Sequence, residues 1–121
     1  MKLRIKGNSI RIRLNKPEVK KICDSGYLQE TTAFGKNTFT YALQRVDNAA
    51  QLSAVLEDNK ITMHVPAALI EDWTDNNTVG FDSHLLVNDQ QLYLLLEKDF
   101  ICLDETTEDQ SDNYENPNKT C

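Results

Sequence analysis

The stretch Gly7 to Ile22, GNSIRIRLNKPEVKKI, recurs in pattern 51 positions later, which restricts the chain to folds made from two like units. Displaced by that interval, Asn8 falls on Asn59, Ile10 on Ile61, Leu14 on Val65, Val19 on Ile70 and Ile22 on Trp73, and no gap is needed from Met1 to Glu30. Few identities are kept. What repeats is an alternating run, a tight-turn pair, a second alternating run and a proline. Toward the end of each copy the interval is expected to shift to 52, which places Tyr41 over Tyr93.

Lys2–Lys6 and residues 10–14 alternate charged with apolar side chains, the period-2 pattern of half-buried strands, around a Gly7-Asn8 hairpin turn. Leu3, Ile5, Ile10, Ile12 and Leu14 would share the inner face of that hairpin, and Lys2, Arg4, Lys6, Arg11 and Arg13 the outer one. Asn15 as N-cap and Pro17 in the first turn predict a short helix over residues 16–24, closed by Ser25-Gly26. Two further strands, residues 27–33 and 38–45, flank a Gly35-Lys36-Asn37 turn. The unit is thus strand, strand, helix, strand, strand over residues 1–46, with residues 47–51 as connector. A second copy over residues 52–99 has strands at 53–57, 61–65, 79–84 and 91–98 and a helix at 66–73. Residues 100–121 form an acidic C-terminal extension, either a disordered tail or a strap over the domain.

Charge is segregated along the chain. Residues 1–46 carry ten basic against three acidic side chains, net +7, while residues 47–121 carry three against sixteen, net −13. The cationic hairpin therefore needs an acidic neighbour or partner. The tail acids Asp104, Glu105, Glu108, Asp109, Asp112 and Glu115 are one such neighbour. Three cysteines without CxxC spacing argue against a disulfide framework, and the N-terminus lacks the apolar run of a signal peptide or membrane span, so a cytoplasmic protein is expected.

Gly7-Asn8-Ser9, the following strand, Leu14 and the proline-led helix resemble the half-unit of the AbrB/MazE swapped-hairpin family, as does Val65-Pro66-Ala67-Ala68-Leu69 in the second copy. The resemblance covers residues 1–98. It implies a mostly β (α+β) swapped-hairpin barrel formed by two tandem ββαββ repeats, a single-chain pseudo-dimer and hence a monomer, followed by the acidic tail. The family contains transcription regulators and antitoxins that grip DNA through basic hairpins. Carried to this chain, that role falls on Lys2, Arg4, Lys6, Arg11 and Arg13. The equivalent positions of the second copy are Ser53, Val55, Glu57, Thr62 and His64, so a protein-interaction module without DNA binding is the alternative. The whole chain also resembles a family of small bacterial proteins of unknown function.

Catalysis, metal and cofactor find little in the sequence. There is no Gly-rich phosphate loop, no G-x-S-x-G and no HExxH, so no enzyme and no cofactor is expected. Cys102, Cys121, His64 and His84 lack the local spacing of a zinc site, and the acidic run Asp109 to Glu115 lacks the glycine of a calcium loop. Glu71-Asp72 reads as a solvated helix surface, Trp73 as core and Cys23 as a buried thiol.

Overall fold

The computed structural model describes residues 1–100 and Tyr114. Eight strands and two helices follow in order: β1 (Lys2–Lys6), β2 (Ser9–Leu14), α1 (Lys16–Ser25), β3 (Tyr27–Phe34), β4 (Asn37–Val46), β5 (Ser53–Glu57), β6 (Lys60–Pro66), α2 (Ala67–Ile70), β7 (Gly80–Val87) and β8 (Gln90–Lys98). The two ββαββ units are thus both present. Every hairpin turn uses residues that tolerate the left-handed region: Gly7 and Gly35 take it at the first position of their turns, and Asp58-Asn59 and Asn88-Asp89 take it at both positions.

The units interleave. One sheet has the order β1-β2-β8-β7 and the other β3-β4-β6-β5, so each joins one hairpin of the first copy to one of the second. The central contacts, β2 with β8 and β4 with β6, are parallel, and the outer pairs are antiparallel. Neither sheet closes, so the expected barrel is not formed. Among the described residues the edges β1, β3, β5 and β7 pair on one side only. Where the sheets meet, side chains take the place of a backbone ladder: Ser83 Oγ donates to Leu52 O at 2.9 Å. At the matching corner Tyr41 Oη donates to Met1 O at 3.4 Å, and the Met1 ammonium bonds Glu18 and pairs with Glu30 at 3.2 Å.

Matching hydrogen bonds fix the correspondence between copies. Tyr93 N donates to Asn8 O as Thr40 N donates to Asn59 O, each at 3.0 Å. Lys98 N donates to Val79 O as Arg45 N donates to Gly26 O, each at 2.8 Å. The Arg45 guanidinium donates to Cys23 O in the last turn of α1, and the Lys98 ammonium to Asn76 O in the turns that follow α2. The later strands therefore correspond at an interval of 53, not 52, and Tyr41 falls on Leu94 rather than Tyr93. A one-residue slip exchanges the faces of a strand: Tyr41 faces the interior side of its sheet, Tyr93 the outer side. The two extra residues lie between α2 and β7, where the segment is longer than that between α1 and β3.

Equivalent positions fill the core. Ile12 and Met63, Leu14 and Val65, Val19 and Ile70, Ile22 and Trp73, and Leu43 and Leu96 are all 0–1% exposed, and burying each contributes about 1.5–3 kcal/mol. The helices differ more. Asn15 and Glu18 form a reciprocal capping box, with Glu18 N donating to Asn15 Oδ1 at 3.1 Å, and Gly26 ends α1 in the left-handed region at φ 79°. In the second copy Pro66 occupies the N-cap with no side-chain cap bond, and α2 stops at Ile70 rather than at Trp73. The Trp73 N to Ile70 O and Asp75 N to Asp72 O bonds are of the tighter i to i−3 type, through a stretch rich in the poor helix formers Asp, Thr and Asn.

Candidate functional site

The pleat brings the five hairpin cations to the outer face of the first sheet. Lys2 opposes Arg13 and Arg4 opposes Arg11 across β1 and β2, so like charges face each other at both positions. The compensation comes from β8, whose outer-face residues Tyr93, Leu95 and Glu97 lie beside Ser9, Arg11 and Arg13. Arg13 Nε donates to Glu97 Oε1 at 2.7 Å. Arg11 Nε lies 2.7 Å from the same oxygen as an ion pair, without a hydrogen bond's alignment. Glu97 is 13% exposed between them. Lys2 pairs with Asp99 at 2.9 Å. Arg4 and Lys6 make no ion pair with a described residue, and both are exposed.

These two cations border a groove of about 270 Å³ whose outer-face floor is made by Arg11, Tyr93 and Leu95. Tyr93 Oη donates to Asp82 Oδ2 at 3.2 Å, and the His84 ring lies 4.8 Å from the Tyr93 ring. Desolvation, with the Asp82 carboxylate beside it, holds the Tyr93 hydroxyl above the usual tyrosine range and so keeps it a donor. The groove therefore offers cations at its rim and an aromatic and aliphatic floor.

The second sheet presents the opposite case at the same positions. Ser53, Val55, Glu57, Thr62 and His64 stand where the five cations stand, and Gln44 stands where Glu97 does. The cationic face is thus single, and it comes with its own neutralising carboxylate. Glu97, Asp99, Asp82 and Tyr93 were missed in reading the sequence because the pairing of β2 with β8 is not local. The alternation of residues 91–98 could have put Tyr93, Leu95 and Glu97 on one face, but not beside Arg11 and Arg13.

A second cluster also went unanticipated. Lys98 is buried, with its ammonium 5.7 Å from the Trp73 ring and 4.8 Å from the Tyr114 ring, donating to Asn76 O at 2.8 Å. Burial pushes its pKa below the ordinary lysine value. Tyr114 N donates to Asp99 O at 2.7 Å, and its ring packs edge-on against Phe100 and beneath Lys16. The tail acids proposed as a cover for the cations, the acidic run from Asp109 to Glu115 as a whole, Cys102 and Cys121 lie outside the described residues. Cys23 is half-buried and donates to Ile70 O at 3.2 Å. Trp73 is core, with Nε1 donating to Thr78 O, and Glu71 and Asp72 are exposed. His64 and His84 lie on different sheets, and no group of three metal-ligating side chains occurs among the described residues.

The model of a family of unknown function, DUF7009, matches residues 1–118, which takes in both units and most of the C-terminal extension. The chain belongs to the DUF7009 family. No curated protein and no solved structure matches it. Among the described residues of this DUF7009 member no helix is long and apolar enough to cross a membrane.

Proposed function

We propose that this domain is a protein-interaction module that takes an acidic polypeptide on the cationic face of its first sheet. The observation that carries the reading is the groove between Arg4, Lys6 and Tyr93: two cations without counter-ions among the described residues stand over an aromatic and aliphatic floor. Such a site suits a chain with carboxylates flanking an apolar side chain, where the charges steer the encounter and the buried contact sets the lifetime. Arg11, Arg13 and Lys2 are already committed to Glu97 and Asp99, which leaves little charge for tracking a phosphate backbone.

The nucleic-acid or antitoxin-like reading is favoured by one observation, the gathering of all five cations on the outer face of one hairpin. It is weakened by the second sheet, which offers no matching surface for the other half of a palindromic site. Fluorescence anisotropy separates the two. A labelled peptide alternating glutamate with leucine and phenylalanine should bind, weaken with salt and lose most of its affinity on Arg4→Glu and Lys6→Glu. Labelled duplex DNA should not compete. DNA binding with a steep salt dependence and no peptide binding would replace this reading with the nucleic-acid one, and binding of neither would reject both.

A further inference from the structure

Among the described residues four strand edges are open, and three of them are guarded. β1 carries Lys2, Arg4 and Lys6; β5 is five residues long and ends in Glu57; β7 carries Asp82 and His84 on its outer face. β3 is different. Its eight residues, YLQETTAF, match β7 in length, in lacking a bulge, proline or lysine and in ending on an exposed apolar side chain, Phe34 at 68%, but its outer face, Tyr27, Gln29, Thr31 and Ala33, carries no charge and no histidine. Its one charge, Glu30, is already paired with the Met1 ammonium.

We infer that β3 is a self-association edge, on which a second copy of this chain adds its own β3 antiparallel to make a continuous eight-stranded sheet across a two-fold axis. The register follows from the hairpin. With a two-residue turn at Gly35-Lys36, Phe34 and Asn37 form a hydrogen-bonded pair, and such pairs alternate along the ladder. The N–H and C=O groups of Gln29, Thr31 and Ala33 therefore point away from β4. Among the described residues these three make no backbone hydrogen bond to another element.

An antiparallel second copy centred on Thr31 sets Thr31 opposite Thr31 and Gln29 opposite Ala33, matching outward groups to outward groups. The same register sets Leu28 opposite Phe34 and Glu30 opposite Thr32 on the interior side. Apolar meets apolar, and the two glutamates are never opposed. The edge is therefore complementary to itself in hydrogen bonding, in side-chain face and in charge, as a two-fold interface must be. The equivalent edge, β7, has Asp82 and His84 where β3 has Gln29 and Thr31, so the copies have diverged in what guards them.

The test is the mass of the full chain by sedimentation or light scattering from about 1 to 100 μM, with three variants. Thr31→Pro removes the central outward N–H without touching the ladder to β4, as an edge strand tolerates. Thr31→Lys opposes two cations on the axis, and Thr31→Val keeps the backbone donor. The expected result is a dimer for the wild type and Thr31→Val, and a folded monomer for Thr31→Pro and Thr31→Lys, with Thr31→Lys partly recovering the dimer in high salt. A wild-type monomer throughout the range, or a dimer unaffected by both Thr31→Pro and Thr31→Lys, would overturn the inference.

Discussion

The two sheets share strand order, central parallel pairing and buried positions, yet their outer faces have nothing in common. One carries Lys2, Arg4, Lys6, Arg11 and Arg13 with Glu97 among them, and the other carries Ser53, Val55, Glu57, Thr62 and His64 with Gln44. The inward positions are held by a shared requirement, because hairpins of both copies bury their apolar faces in one common core. The outward positions meet water and have been free to diverge. Glu97 is the telling difference: a strand face with like charges opposed twice needs a carboxylate among them, while a neutral face needs only an amide.

Removing one core side chain from each sheet should produce the largest effect and ask whether they are energetically equal. Leu43→Ala and Leu96→Ala occupy equivalent, fully buried sites, and each should cost about 2–5 kcal/mol by urea unfolding. A clear inequality would show that the copies have diverged inside as well as outside. Gly80→Ala breaks the symmetry further. Its mate in the first copy is Tyr27, but a Cβ at Gly80 would stand 2.7 Å from Glu97 Cβ and closer still to Leu96 O, so about 1–3 kcal/mol of overpacking is expected. Asn15→Ala should cost about 1 kcal/mol by removing a capping box that α2 never had.

Glu97→Gln makes the first sheet resemble the second. A loss of about 1 kcal/mol at low salt is expected from freeing Arg11 and Arg13, together with stronger, more salt-sensitive binding of the acidic peptide; unchanged binding would mean that the arginines face no ligand. The smallest effect concerns Lys98. Because burial lowers its pKa, the unfolded chain binds more protons between the folded value and the ordinary lysine value, and stability rises with pH across that interval. Tyr41 and Tyr93, held above the usual tyrosine range, act in the opposite sense above about pH 10. Lys98→Met should abolish the rise in thermal midpoint seen as the pH climbs toward the ordinary lysine value, while Arg45→Met at the equivalent site should not.

Much of the fold was legible because its signals are local. The bounds of β1 and β5 match the sequence reading, the other strands differ by one to three residues at an end, and Asn15, Pro17 and Gly26 announced α1. The interval of 52 failed because matching Tyr41 to Tyr93 matches composition, whereas the pleat requires matching faces. The barrel failed because closure depends on edge pairs that no local pattern specifies, and here Ser83 and Tyr41 bond across the corners instead. The five cations could be placed on one face from alternation alone. Glu97, Tyr93 and Asp99 could not be set beside them, since a parallel contact between β2 and β8 joins residues more than eighty positions apart.

The interleaving is tested most directly by Leu43→Ala followed through Trp73 fluorescence in urea. Leu43 belongs to the first copy and the second sheet, whereas Trp73 belongs to the second copy and packs 5.1 Å from the Phe81 ring of the first sheet. A single cooperative domain predicts that the tryptophan midpoint falls as far as the midpoint read by far-ultraviolet circular dichroism. A tryptophan transition left at its wild-type position while the dichroism transition moves would contradict the account, because the two sheets would then unfold separately.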